Sequence, residues 1–246
     1  MTLKQIADVN FPTRWASFRL FGFEALHFNK KTGKESLETA LALVLGNIQS
    51  FPPMVRIHSQ CTTGEVFHSL RCDCHDQLHL ALRKIAEEGA GVLIYERQEG
   101  RGIGLMEKLR AYELQDQGLD TVEANLRLGH AADARDYALA VHILRWFKIK
   151  SLRLISNNPE KVKAVLSSGI QIVERICADV PGSEDSTQYL ATKREKLGHF
   201  AKPANNPFIR ADQSTHGAFP QGTCSESDGL GADIRADLRG SPWRMS

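Results

Sequence analysis

The chain lacks any apolar run approaching the roughly 18 residues that a membrane-spanning helix requires, which argues against a helical integral membrane protein. It also lacks a charge imbalance. Lys and Arg number 31 against 29 Asp and Glu, a formal net charge of +2. No bulk field therefore marks it as a partner of nucleic acid or of a membrane surface, and attraction for a polyanion must come from a local cluster. The N-terminus, Met1-Thr2-Leu3-Lys4-Gln5, has no apolar core of a secretory signal, so the cytoplasm is the expected compartment. Cysteines are few and odd in number, five in all, which argues against a disulfide framework. What remains is ordinary for a soluble globular protein: 42% hydrophobic and 24% charged over 246 residues, enough to bury a full core.

Short apolar runs bounded by Gly, Pro, Asn or charge predict strands over Arg14–Phe23, Ala40–Leu45, Met54–His58, Gly91–Tyr95, Ser151–Ile155 and Ile170–Glu174. Helical periods predict helices over Gln77–Glu88, Gly104–Gln117, Ala134–Phe147, Pro159–Ser168 and Ser186–Leu197. Gly89 reads as a C-terminal stop, and Asn158-Pro159 as an N-cap followed by a first-turn proline. The alternation predicts a single α/β domain, a mixed sheet flanked by helices, over residues 1–201. Residues 202–246, rich in Gly, Ser, Asp and Pro without sustained period, predict a flexible tail.

Three cysteines cluster. Cys61, Cys72 and Cys74 have the spacing C-x10-C-x-C, and thiolates are soft ligands that suit zinc. Ligand count leaves three readings open: a catalytic zinc with three thiolates and a water, a structural zinc closed by His58 or His75, or buried unligated thiols. Gln98-Glu99-Gly100-Arg101-Gly102-Ile103-Gly104 follows a predicted strand and enters a predicted helix, so its backbone N–H groups could approach an anion. An ordinary glycine-rich turn explains it equally well. Glu99 is odd for phosphate binding, but a carboxylate can accept from the N1–H and amino group of guanine. Asp133 reads as an N-cap and Arg135 as a surface charge on composition alone. Lys161 sits in a first helical turn, against the helix dipole, which a bound phosphate would explain.

These segments together bring a likeness into view. Arg56-Ile57-His58-Ser59-Gln60-Cys61-Thr62-Thr63-Gly64, Ser69-Leu70-Arg71-Cys72-Asp73-Cys74 and Gln98-Glu99-Gly100-Arg101 occur in one order. They are followed by Ala111-Tyr112, Gln115-Asp116-Gln117-Gly118, Asp120 to Asn125, and Asn157-Asn158-Pro159. The chain so read resembles the GTP cyclohydrolase II family from about Leu3 to His199.

The resemblance implies a zinc-dependent hydrolase that opens the imidazole ring of GTP and releases formate and diphosphate. The product would be 2,5-diamino-6-(5-phosphoribosylamino)pyrimidin-4(3H)-one, at the first step of riboflavin biosynthesis. It implies one zinc on Cys61, Cys72 and Cys74, magnesium accompanying the triphosphate, and a homodimer. Residues Arg56, Ile57, His58, Ser59, Gln60, Gln77, Glu99, Gly100, Arg101, Thr121, Ser156 and Lys161 would line the nucleotide site. Asp133 would be the general base, Tyr112 a residue at the reaction centre, and Arg135 the nucleophile towards the α-phosphorus. A guanidinium is better suited to stabilising phosphoryl charge than to attack. The chain departs from the family pattern at Gln60 (commonly Glu), His75-Asp76 (commonly Gly and an apolar residue) and Ser156 (commonly Thr). These departures leave room for a paralogue that uses GTP for another product, or for a non-catalytic nucleotide-binding protein with a structural zinc.

Overall fold

The computed structural model describes residues 2–29, 33–180 and 186–200, and the predicted tail 202–246 lies outside the described residues. Seven strands form one sheet: β1 (Thr2–Pro12), β2 (Ser17–Asn29), β3 (Lys34–Leu45), β4 (Met54–Ser59), β5 (Gly91–Glu96), β6 (Ser151–Ile155) and β7 (Gln171–Ile176). Their order across the sheet is β1-β2-β3-β5-β4-β6-β7. The first four in that order pair antiparallel, and β5, β4, β6 and β7 pair parallel. The mixed α/β sheet is the predicted architecture.

Helices cover the parallel half on both faces. Alternation along β5 decides which side chain meets which helix. Val92 and Ile94 join Val55 and Ile57 of β4 beneath α5 (Ala138–Trp146) and α6 (Pro159–Ser167). Leu93 points the other way, onto Ala81, Leu82 and Ile85 of α2 (Cys74–Glu88). The predicted stop of α2 is present: Gly89 adopts φ 77° and its N–H reaches the carbonyls of Ile85 and Ala86. The predicted start of α6 is present too, with Asn158 accepting from the Glu160 N–H at 2.8 Å. The remaining helices are α1 (Thr62–Glu65), α3 (Leu105–Asp116), α4 (Thr121–Arg127) and α7 (Thr187–Glu195). No helix among the described residues is long and apolar enough to cross a membrane.

The predicted helix Ala134–Phe147 is shorter, beginning at Ala138. Its first residues are claimed by the glycine-rich segment. The Ala134 N–H donates to the Arg101 carbonyl at 3.0 Å, and Gln98 bonds both the N–H and the carbonyl of Asp136. Backbone groups committed sideways cannot also enter a helical ladder. Asp133 is therefore not the N-cap of this helix.

Candidate active site

The connection from β4 leads to β5 on one side, and the next crosses back to β6 on the other, so a crevice opens beyond the carboxyl ends of these strands. β4 runs out at Ser59, and Gln60 leads into Cys61, the residue preceding α1. The Gln60 N–H extends the pairing to the Glu96 carbonyl at 2.9 Å. Cys74 opens α2 and Cys72 precedes it. The ligand atoms of Cys61, Cys72 and Cys74 lie within 4.8 Å of one another, a convergence that no other group of three His, Cys, Asp or Glu makes among the described residues. Gly64 leaves the space they need. A Cβ there would stand 2.8 Å from Cys72 Sγ and 3.2 Å from Cys61 Sγ.

Three soft donors around a gap without side-chain carbon fit a zinc ion. Thiols this close cannot all ionise without a cation. Hydrogen bonds from Cys72 and Cys74 drive the Cys61 thiol far below its usual range, while its bond to Cys61 pushes Cys72 up to about 11. Hydrogen bonds with Cys61 and Cys72 push the Cys74 thiol well above its usual range too.

A polar shell holds the first cysteine. Glu65 accepts from the Cys61 N–H at 2.8 Å and from the Tyr95 hydroxyl at 2.5 Å, and its other contact is His58 Nε2 at 2.9 Å. Burial pushes the Glu65 carboxyl up to about 7. On the opposite side, Lys108 Nζ lies 3.1 Å from Cys61 Sγ and donates to Thr63 Oγ1 and Glu99 Oε1, each at 2.8 Å. Glu99 also accepts from the Thr62 N–H at 2.6 Å. The Tyr112 hydroxyl lies 3.3 Å from Thr63 Oγ1, and burial raises its pKa, so it is a protonated phenol at neutral pH.

A second cavity adjoins the first and shares Ser59, Cys74, Arg101, Arg135 and Tyr189 with it. Its walls are basic. Arg56, Lys161 and Lys193 line it beside His199, which burial and the surrounding cations keep neutral, and burial holds Arg56 down to about 10. Burial first, then Arg56 and Arg135, push Lys161 well below the ordinary lysine range. Arg56 Nε and Arg101 Nη1 are buried with no hydrogen-bond partner among the described residues. Clustered buried cations with unspent donors are costly alone and are relieved by an anion. Arg101 is delivered by a strained turn, with φ 60° between Gly100 at φ 61° and Gly102 at φ 89°. Glycine suits position 102, where φ is 89° and a Cβ would press on the Ala134 carbonyl carbon at 3.1 Å.

The sequence profile of the GTP cyclohydrolase II family matches residues 4–177. The chain belongs to the GTP cyclohydrolase II family. It is 52% identical over 200 residues to the GTP cyclohydrolase-2 of Buchnera aphidicola subsp. Schizaphis graminum, covering 81% of this chain and 98% of that protein. It is 50% identical over 200 residues to that of Yersinia pestis, again 81% and 98%. With that of Escherichia coli O9:H4 it shares 48% over 200 residues and the same coverage. Relatives this similar over nearly their whole length make the chain a hydrolase of this family. Among solved structures, RibBX, a two domain 3,4-dihydroxy-2-butanone 4-phosphate synthase from A. baumannii, has a TM-score of 0.41 at 19% identity. It covers 72% of this chain and 41% of that one, too remote a likeness to carry weight.

Most residues expected at the family's site meet in this crevice. Ser59, Gln60, Glu99, Gly100, Arg101, Tyr112, Thr121 and Arg135 line the sulfur-bearing half. Arg56, His58, Gln77, Ser156 and Lys161 line the basic half. Three behave differently from a simple lining role. Ile57 buries its side chain in the core under α5, and its carbonyl accepts from Lys161 at 2.8 Å. Gln77 bridges Arg56 and Asp73, at 2.6 Å each. Asp133 lines neither cavity and clasps Arg135, with Nε at 2.9 Å and Nη2 at 2.5 Å. His75 lies between His68 and His79, ring centroids 4.2 and 3.9 Å away, and His58 turns to Glu65, so neither joins the three sulfurs.

Lys108, Thr63, Glu65, Tyr189 and Lys193 are site residues that the sequence reading passes over. A signal existed for two pairs: Lys108 and Tyr112 on α3, and Tyr189 and Lys193 on α7, stand four apart and so share a helix face.

Proposed function

We propose that this enzyme opens the imidazole ring of GTP and releases formate and diphosphate. The product is 2,5-diamino-6-(5-phosphoribosylamino)pyrimidin-4(3H)-one, the first intermediate of riboflavin synthesis in the cytoplasm. The observation that carries this reading is the adjacency of two unlike half-sites. A three-sulfur cluster beside Glu99 and Tyr112 opens directly into a cavity walled by Arg56, Arg101, Arg135 and Lys161. One half suits hydrolysis at a purine carbon, and the other suits a polyphosphate a few ångströms away.

Cys61, Cys72 and Cys74 hold one zinc. When bound, the metal supplies a Lewis-acid centre that brings the pKa of water to near neutrality. The protein groups do the rest. Glu99 presents acceptor oxygens to the guanine N–H groups, and Gln60 and Ser59 lie at the junction of base and ribose. The protonated Tyr112 hydroxyl donates beside the sulfurs as charge moves through the opening ring. Arg56, Arg101 and Lys161 neutralise the triphosphate together with a magnesium ion, with Thr121 bracing Arg101 at 3.3 Å. Arg135 stabilises charge at the α-phosphorus as diphosphate departs. Asp133 fixes the Arg135 fork, and it has to release that guanidinium before it can accept a proton as base. Ile57 contributes its carbonyl, Gln77 its bridge to Arg56, and His58, Ser156 and Gly100 the shape of the walls. We assign the catalytic domain to residues 1–201 and the assembled form to a homodimer.

The full-length protein incubated with GTP, zinc and magnesium should release formate and diphosphate in equal amounts, with the diaminopyrimidine seen by mass spectrometry. A zinc-loaded protein that leaves GTP intact, or a product that keeps the formyl carbon, ends this proposal.

A further inference from the structure

We propose that Lys108 is a positioning residue that locks the first cysteine of the metal centre, the carboxylate that faces the purine and the hydroxyl that carries Tyr112 into one geometry. This inference rests on the function proposed above. An ammonium has three donors. Lys108 spends one on Cys61 Sγ at 3.1 Å, one on Glu99 Oε1 at 2.8 Å and one on Thr63 Oγ1 at 2.8 Å. Thr63 Oγ1 in turn meets the Tyr112 hydroxyl at 3.3 Å. The side chain is 12% exposed, so these bonds are made largely out of water, where each counts for more.

The glycine-rich segment is shaped around this lysine. A Cβ on Gly100 would stand 3.0 Å from Lys108 Cβ, so the stem of the lysine fills the room that the glycine leaves. Four segments converge on one nitrogen: the turn after β4, α1, the segment after β5, and α3. A lysine that only paired with a surface carboxylate would need none of this.

The charge arithmetic points the same way. Three thiolates outweigh a divalent cation, and Glu99 adds a further negative charge beside them. Lys108 is the cation in contact with both. An N–H donor on a ligating thiolate draws electron density from sulfur, which leaves a bound metal more electrophilic. The same ammonium keeps Glu99 from swinging towards the metal and fixes its distance from the cysteines, so the purine carbon is presented at one depth.

The test uses the full chain with zinc and, in parallel, with cobalt in its place. Lys108→Met is compared with the parent and with Lys108→Arg for metal content, the thiolate-to-cobalt absorption band, and kcat against KM for GTP. The Met protein should fold and bind one metal per chain, with metal affinity or kcat lower by about 10- to 100-fold, as for second-sphere partners elsewhere. Its cobalt band should shift, and Lys108→Arg should restore part of both the band and kcat. Lys108→Gln, neutral and polar, is read by the same criteria if the Met protein does not fold. An unshifted band together with parental kcat in the neutral variants overturns the role of Lys108 while leaving the proposed function standing. A parent that binds no metal or releases no formate removes the function itself.

Discussion

Cys72 and Arg135 sit in adjoining halves of one crevice, and their loss should separate two kinds of failure. Cys72→Ser swaps a soft sulfur for a hydroxyl that binds zinc poorly, so metal content and formate release should vanish together. Arg135→Lys keeps a cation against Asp133 but loses the fork. It should retain zinc while turnover falls by roughly 100-fold, the scale of losing one donor to developing charge. Metal analysis beside a formate assay reads both, and turnover by a metal-free Cys72→Ser protein would contradict the assigned site. At this scale the sequence was informative where donors are close in the chain. Cys61, Cys72 and Cys74 announce themselves by spacing and by the chemistry of sulfur. Lys108 does not, because its three partners lie 47, 45 and 9 positions away and only the fold brings them to one nitrogen. Glu65 is silent in the same way: its contacts with His58 and Tyr95 depend on the pairing of β4 with β5.

α5 shows how elements borrow what they lack. Its N-cap residue, Tyr137, makes no side-chain cap bond. Glu96, at the end of β5, reaches across to accept from the Ala140 N–H at 3.2 Å, and its second oxygen is buried without a partner among the described residues. Burial pushes this carboxyl up to about 8, and the opposing pull of Lys161 does not cancel it. A carboxyl whose folded pKa is raised binds its proton more tightly when folded. Its contribution to stability is therefore complete below about pH 4.5 and is lost as pH rises towards about 8. Glu96→Gln mimics the protonated form and should remove that slope, leaving the variant more stable than the parent above pH 8. Thermal unfolding of parent and variant side by side across this range checks it, and a stability difference between the two that does not change with pH over the interval would contradict the assignment. Element boundaries were legible where local chemistry sets them, as at Gly89 and Asn158. They were missed where it does not. β1 was not foreseen because it is an exposed edge with a register shift between Gln5 and Ala7 that breaks its alternation. α5 starts later than its apolar period suggests because Gln98 and Arg101, distant in sequence, hold the preceding backbone. α4 carries a sign readable in the sequence, since Asp120 and Glu123 form a capping box.

The antiparallel half of the sheet carries an apolar surface that the other described residues do not cover. Leu26 of β2 pairs with Leu37 of β3, and Val9 and Phe11 of β1 pair with Leu20 and Phe18, so all six side chains leave the same side of the sheet. Alternation adds Phe28 and Leu41 to that face. Phe18 is buried against α2, which covers only the nearer end. Beyond it Leu26 is 54% exposed, Phe28 55% and Leu37 64%. An apolar patch of this kind is costly in water and is a usual mark of association. It supports the homodimer proposed above, with symmetry-related sheets contributing the same residues to each other. Replacing Leu26 and Leu37 together with Asp should halve the mass measured by light scattering, because two buried carboxylates without partners cannot be accommodated in an interface. The three sulfurs lie on the other half of the sheet, so the monomeric variant should keep its zinc. A double variant of unchanged mass would place the dimer contact elsewhere, and a parent that is itself monomeric would remove the dimer from the proposal.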